Sequence, residues 1–223
     1  MKIIVGLAIA ISLYGTQMIV QPAQALDKSA ETAIINLPQP ALDGPVSVEK
    51  ALSERRSVRT YKNQPLSLAD VSQLLWAAQG ITEPKKGLRT APSARASYLL
   101  QVYILPGKVA DLPMGMYKYQ PQGHKLIKVL DGDIKTNLYN TVGQSPIKIA
   151  PAVIVVTGLS KKTSNQSWIY LEAGHAVQNI YLQAAARNLG GVTMTGFKPE
   201  EVKNILKLPD DEYPVYIMPV GKK

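Results

Sequence analysis

The run PAVIVVTG, residues 151–158, constrains the fold more than any other stretch of the chain. A nearly all-apolar segment of this length predicts a strand covered on both faces, so other elements must pack on each side of its sheet. The second constraint is the helical pattern from Trp168 to Leu189. There Ala173, Ala176, Val177, Ile180, Tyr181, Ala184 and Ala185 form a broad apolar stripe, and Gly190-Gly191 is expected to end the helix. So much apolar surface on one helix predicts a central buried position.

The remaining elements are shorter. Ser47 can cap a helix whose Val48, Ala51 and Leu52 share one face. Ser67 and Asp70 have capping-box spacing ahead of Leu68, Val71, Leu74, Leu75 and Ala78, with Gly80 as a stop. The basic segment ITEPKKGLRTAPSARAS follows and reads as a loop. LLQVYIL (99–105) predicts a strand. GMYKY and HKLIKVL flank Pro121-Gln122-Gly123 as a hairpin. A helix over 199–206 and a strand over 213–221 close the chain. Strands and helices mix without strict alternation, so the predicted class is α+β, a mixed sheet packed against helices with one long central helix.

The N-terminus reads differently. Lys2 precedes the apolar run IIVGLAIAISLYG, and Ala23-Gln24-Ala25 supplies an A-x-A cleavage site. Residues 1–25 are expected to be a Sec-type signal peptide cleaved after Ala25, leaving no stable membrane anchor and an exported, periplasmic protein. Residues 26–45 read as an extended lead-in and 46–223 as one domain. Removing residues 1–25 takes away only Lys2, leaving 24 basic against 16 acidic residues and a charge of +8. The chain has no cysteine, which excludes disulfides and thiolate chemistry, and two histidines argue against a histidine-based metal site. No metal is expected. Glu172 and His175 are expected to form an i,i+3 hydrogen bond on one helix face rather than a metal site.

The motif SERRSVRTY, residues 53–61, concentrates positive charge: Arg55, Arg56 and Arg59 fall within five positions around Ser57. Spacing alone leaves three readings open. The cations can complement the negative end of a helix. They can meet nucleic acid, although no aromatic residues are interleaved, as single-strand platforms require. Or they can clamp a phosphate, with Ser57 as an added donor, because the planar guanidinium fork matches phosphate geometry.

The ordered series RRSVRTY, PSARASYLLQVYI, GMYKYQPQGHKL, EAGHAVQNIYLQAAARNLGG, TGF and PVYIMPVG resembles the nitroreductase-like flavoproteins over residues 46–221. Within that family the chain is most similar to the thiazoline/oxazoline dehydrogenase branch, called SagB-type. The resemblance implies an FMN-binding α+β fold, an intertwined homodimer with flavin at the subunit interface, and hydride transfer through flavin N5 to or from a small organic or peptide substrate. It favours the phosphate clamp, with Arg55, Arg56, Ser57 and Arg59 on the FMN phosphate and ribityl chain. By the same resemblance Pro92, Ser93 and Ala94 would lie along the flavin from the partner chain. Thr193, Met194, Thr195 and Gly196 would stand near the ring, and Lys222 would reach the phosphate. No catalytic side chain is implied, because the cofactor carries the chemistry.

The chain departs from the family pattern at Arg95, Leu99 and Thr195. Arg95 and Leu99 replace glycine and proline, and Thr195 stands where classical nitroreductases carry glutamate. Export also separates the protein from cytoplasmic nicotinamide, which points to oxygen, a quinone or another redox partner for electron exchange. These departures leave an alternative: an exported, non-catalytic binding module that keeps the fold without flavin. Nucleic acid is not an expected partner.

Overall fold

The computed structural model describes residues 33–223; the predicted signal peptide lies outside them. The chain runs β1 (Ile34–Asn36), α1 (Val48–Glu54), α2 (Leu68–Gln79), β2 (Ile81–Glu83), β3 (Leu88–Arg89), β4 (Leu100–Pro106), β5 (Gly115–Gln120) and β6 (Lys125–Asp131). It continues with α3 (Ile134–Val142), α4 (Ser145–Ile149), β7 (Ala152–Leu159), α5 (Ser167–Ala186), β8 (Leu189–Gly191), α6 (Pro199–Leu206) and β9 (Glu212–Lys222).

Seven strands form one sheet in the order β1-β6-β5-β4-β7-β9-β8, and each neighbouring pair is antiparallel. The α+β class holds. The expected mixture of strand directions does not come from the ladders; parallel pairing enters through two isolated bridges, Ser57–Gly191 and Leu66–Val109. β7 lies between β4 and β9 and is buried along its whole length. Its alternation explains its composition. Ala152, Ile154 and Val156 join the core under α2 and α5, while Val153 and Val155 join the core under α3 and α6. Burying each such valine or isoleucine contributes about 1.5–3 kcal/mol.

α5 is the long central helix, and its alanines let it lie close to the sheet. Ile169, Ala173, Ala176, Val177, Ile180 and Ala184 are all in the core. Gly158 of β7 permits this approach: an added Cβ would fall 2.4 Å from Ile169. The capping box of α2 is formed as predicted: Asp70 N–H donates to Ser67 Oγ and Ser67 N–H donates to Asp70 Oδ2, both at 3.1 Å.

Four expectations change. α5 ends at Ala186, and Gly190-Gly191 belong to strand β8 rather than to a helix stop. The basic segment after α2 contains the β2–β3 hairpin. The helices α3 and α4 were not predicted. Of the expected lead-in, residues 26–32 lie outside the described residues, and Ile34–Asn36 pairs with β6 as the sheet's edge strand.

Candidate functional site

α1 stops at the arginine cluster. Arg55 leaves the helix with ψ 125°, so Arg56, Ser57 and Arg59 lie on an extended strap beyond it. The last turn of α1 itself contains no cation, so the helix-end reading rests on Arg56. Arg56 alone folds back, its Nη1 donating to Ser53 O at 3.0 Å and to Arg55 O at 2.7 Å.

The strap docks along the C-terminal edge of the sheet. Val58 N–H donates to Gly191 O at 2.8 Å, and Lys62 N–H donates to Lys222 O at 2.9 Å. Tyr61 Oη lies 3.0 Å from both Val58 O and Pro219 O. The approach depends on Gly190, where an added Cβ would sit 2.6 Å from Val58.

Tyr181 ties the strap to the second group of candidates. The Arg55 guanidinium lies over its ring, 5.4 Å from the centroid. Its hydroxyl accepts Thr193 N–H at 2.7 Å and lies 3.2 Å from Thr193 Oγ1. Beyond Thr193, Met194 is pinned to Ile217 of β9 by two backbone hydrogen bonds, whereas Thr195 and Gly196 are exposed. Gly196 O accepts Gln144 Nε2 at 3.0 Å.

A recess of about 270 Å³ opens between strap and sheet, lined by Arg55, Arg56, Tyr181, Gly190 and Lys223, with Glu54 as its one acid. Glu54 is paired with Lys50 at 2.7 Å. Among the described residues, Arg55, Arg56 and Arg59 meet no carboxylate within 4 Å. Three cations against one occupied acid match the donor set a phosphate requires. Arg59 is exposed on the strap outside this lining. Lys222 turns elsewhere: its Nζ meets Asp70 Oδ2 at 2.9 Å. The C-terminal cation at the recess is Lys223, which, like Tyr181, sequence reasoning did not select. No spacing rule connects either residue to the strap; only the fold does.

Pro92, Ser93 and Ala94 lie on a loop held by α5. Ser93 Oγ donates to Glu172 Oε2 at 2.7 Å, and Leu99 N–H donates to the same oxygen at 3.1 Å. His175 Nδ1 lies 3.4 Å from Pro92 O, and Asn179 Nδ2 donates to Thr90 O at 3.3 Å. Glu172 and His175 therefore do not bond each other as expected; each holds this loop. The loop is strained, with Arg95, Ala96 and Tyr98 at φ 55°, 51° and 49°. Arg95 places its guanidinium 5.5 Å from the Trp168 ring centroid. Leu99 is in the core. Among the described residues no hydrogen bond joins this loop to the arginine strap; its bonds go to α5 and, at Tyr98 O, to Lys162 Nζ at 3.5 Å.

An antiparallel sheet between helical layers, with a cationic recess at its C-terminal edge, defines an α+β protein. The chain belongs to the nitroreductase family of oxidoreductases, whose model matches residues 52–222. It is 36% identical over 185 residues to a protein of Methanocaldococcus jannaschii named as a nitroreductase, covering 80% of this chain and 92% of that one. The crystal structure of a nitroreductase-named protein from Ralstonia eutropha superposes with a TM-score of 0.75 at 28% identity, over 85% of this chain and 89% of that one. A chain of the Escherichia coli microcin synthetase McbBCD complex, with truncated pro-MccB17 bound, has the same fold. Its TM-score is 0.64 at 17% identity, over 93% of this chain and 84% of that chain.

Proposed function

We propose that the protein is an exported, homodimeric, FMN-dependent oxidoreductase acting on a small organic or peptide substrate. The observation that carries this reading is the recess itself. Arg55, Arg56 and Lys223 converge beside Tyr181, and Tyr181 connects them to Thr193. In this reading Arg55, Arg56 and Lys223 hold the flavin phosphate, with Ser57 and Arg59 on the adjoining strap. The Thr193–Gly196 segment flanks the ring, and Thr193 is fixed by the Tyr181 hydroxyl.

FMN, when bound, supplies hydride exchange at N5. The chain's part is to bind, orient and cover. The Pro92-Ser93-Ala94 loop is set by Glu172 for a second copy of the chain. Tyr170 and Leu171, exposed by 56% and 61% on α5, offer that copy an apolar face. The pro-MccB17 in the McbBCD structure supports the peptide arm of the substrate class and the SagB-type branch. Export rests on Lys2, the apolar run after it and Ala23-Gln24-Ala25. Among the described residues no helix is long and apolar enough to cross a membrane.

Purification tests the reading directly. The protein should carry flavin absorbance near about 450 nm or take up added FMN. Replacing Arg55 and Lys223 by alanine should release FMN while the dimer persists, each lost charge-assisted contact costing about 1.5–3 kcal/mol. A colourless protein that ignores added FMN would favour the flavin-free binding module, and undiminished FMN binding by the double variant would remove the phosphate assignment.

A further inference from the structure

A second cleft, of about 630 Å³, lies where the far part of the strap meets the β4–β5 connection, the start of α3 and the end of α4. The strap lines the recess with Arg55, Arg56 and Val58 and this cleft with Thr60, Tyr61 and Asn63; the two share no lining residue. Tyr61 is a fixed wall, because its hydroxyl is tied to Val58 O and Pro219 O at 3.0 Å each. Three lysines line the cleft, Lys108, Lys135 and Lys148, and Asp133 is its one acid.

Asp133 is already engaged. It caps α3, its Oδ1 accepting Thr136 N–H at 3.0 Å and its Oδ2 accepting the Thr136 hydroxyl at 2.6 Å. Among the described residues no carboxylate lies within 4 Å of any of the three ammonium groups. Lys135 is laid across Gly107, where an added Cβ would fall 3.3 Å from its Nζ, so its charge is brought beside Lys108. Burial lowers the Lys135 pKa, Asp133 opposes that, and the Lys108 charge adds to it. Lys135 donates to Ile147 O at 3.2 Å and Lys148 O at 2.8 Å, and Lys108 donates to Asn63 Oδ1 at 2.6 Å. An ammonium carries three N–H groups, so two on Lys108 and one on Lys135 remain for a ligand. Those same bonds hold both side chains in place, so little ordering cost is left to binding.

From this arrangement we infer that the cleft is a binding site for a small organic phosphate monoester. Its lining carries three positive charges and one negative, a balance of +2. A phosphate monoester has a second pKa of about 6, so at neutral pH it is a dianion that matches this balance. Its terminal oxygens accept from Lys108 and Lys135, and Lys148 adds charge. Met114 and Ile149, exposed by 51% and 50% in the same lining, cover the organic part. A cation would be repelled by the three lysines, and a neutral ligand would leave their mutual repulsion in place. The volume fits a molecule of modest size. The inference does not rest on the flavin reading, and FMN, itself such an ester, serves as the competitor in its test.

The test is a titration of the purified protein, ¹³C-methyl-labelled at methionine, with phenyl phosphate, run with and without saturating FMN. The Met114 methyl resonance should shift saturably at one ligand per chain, with the same affinity in both conditions. Phenyl sulfate, a monoanion of nearly the same shape, and inorganic phosphate should each bind at least about fivefold more weakly. Lys108→Met and Lys135→Met should each weaken phenyl phosphate at least about tenfold. Should Lys135→Met fail to fold, because its ammonium also holds the end of α4, Lys108→Met at an exposed position carries the charge test. Ile149→Ala should weaken phenyl phosphate and leave inorganic phosphate unchanged. A protein that takes up no FMN but still binds phenyl phosphate here upholds this site and overturns the flavin reading alone. Binding abolished by FMN would place the ester in the recess and overturn the assignment. A Met114 resonance that does not move, equal affinity for phenyl sulfate or inorganic phosphate, or unchanged affinity in Lys108→Met overturns it equally.

Discussion

Glu172 grips Ser93 across 79 positions of the chain: one carboxylate oxygen accepts both the Ser93 hydroxyl at 2.7 Å and Leu99 N–H at 3.1 Å. Glu172 is 2% exposed and Leu99 is in the core, so the Leu99 N–H has no water to replace it. A strained loop with three left-handed residues keeps one conformation because α5 reaches into it.

Glu172→Ala leaves two donors unpartnered, each at about 1–3 kcal/mol. Urea unfolding should show a loss of at least about 2 kcal/mol. Glu172→Gln, which retains an acceptor oxygen, should lose less. Equal losses in the two variants would mean that packing, not the hydrogen bonds, holds the loop.

Tyr181 does two things that substitution can separate. Tyr181→Phe keeps a ring under Arg55 but deprives Thr193 N–H of its acceptor, which should cost about 1–3 kcal/mol. Tyr181→Leu removes the ring as well and should cost a further ~0.5–1 kcal/mol, the range for an exposed cation–π contact. Calorimetric melting of the three proteins checks the order. A phenylalanine variant as stable as the native chain would show that Thr193 finds another acceptor.

The layered fold was legible because β7 and α5 advertise their burial: one is apolar on both faces, the other along a broad stripe. The strap was legible as a cluster of charge but not as geometry. Arg55, Arg56, Ser57 and Arg59 stand out by type, yet which C-terminal lysine lies beside them depends on the fold. Lys222, the last residue of β9, turns to Asp70, and Lys223 just beyond it lines the recess. α3 and α4 were missed for a local reason. Ile134, Leu138 and Ile147 are their only buried apolar side chains, too few to make a stripe. Glu172 and His175 were read as a pair because they share a helix face; their partners on a loop some 80 positions away leave no local trace.

Gly190 lets the strap reach the sheet. An alanine there would bring its Cβ to 2.6 Å from Val58, an overpacking worth about 1–3 kcal/mol. Relief requires the strap to move outward, which breaks the Val58 N–H to Gly191 O bond. Hydrogen exchange at the Val58 amide should therefore accelerate in Gly190→Ala. Gly44→Ala is the control, because nothing lies within 4 Å of the added carbon, and its stability should stay within about 0.5 kcal/mol. Unchanged Val58 protection in Gly190→Ala would mean that the strap is not anchored at this point.

Asp70 should give the fold an acid-sensitive component. The residue is 4% exposed, and desolvation alone would raise its pKa. Hydrogen bonds from Lys222, Ser67 and Arg187 outweigh that effect and bring it down from 3.8 to about 2. A carboxylate with a depressed folded-state pKa stabilises the fold fully above its unfolded value near 4. The contribution disappears as pH falls from there through about 2. A depression of nearly two units corresponds to about 2–3 kcal/mol at neutral pH. Asp70→Asn removes the titration and leaves Lys222 and Arg187 without their counter-ion. Denaturant unfolding of the two proteins should differ most at pH 6 and converge as the pH drops from about 5 towards 2, because protonation then deprives the native protein of the same charge. A difference that stays constant over that range would place the acid sensitivity elsewhere, since Asp70 alone distinguishes the two chains.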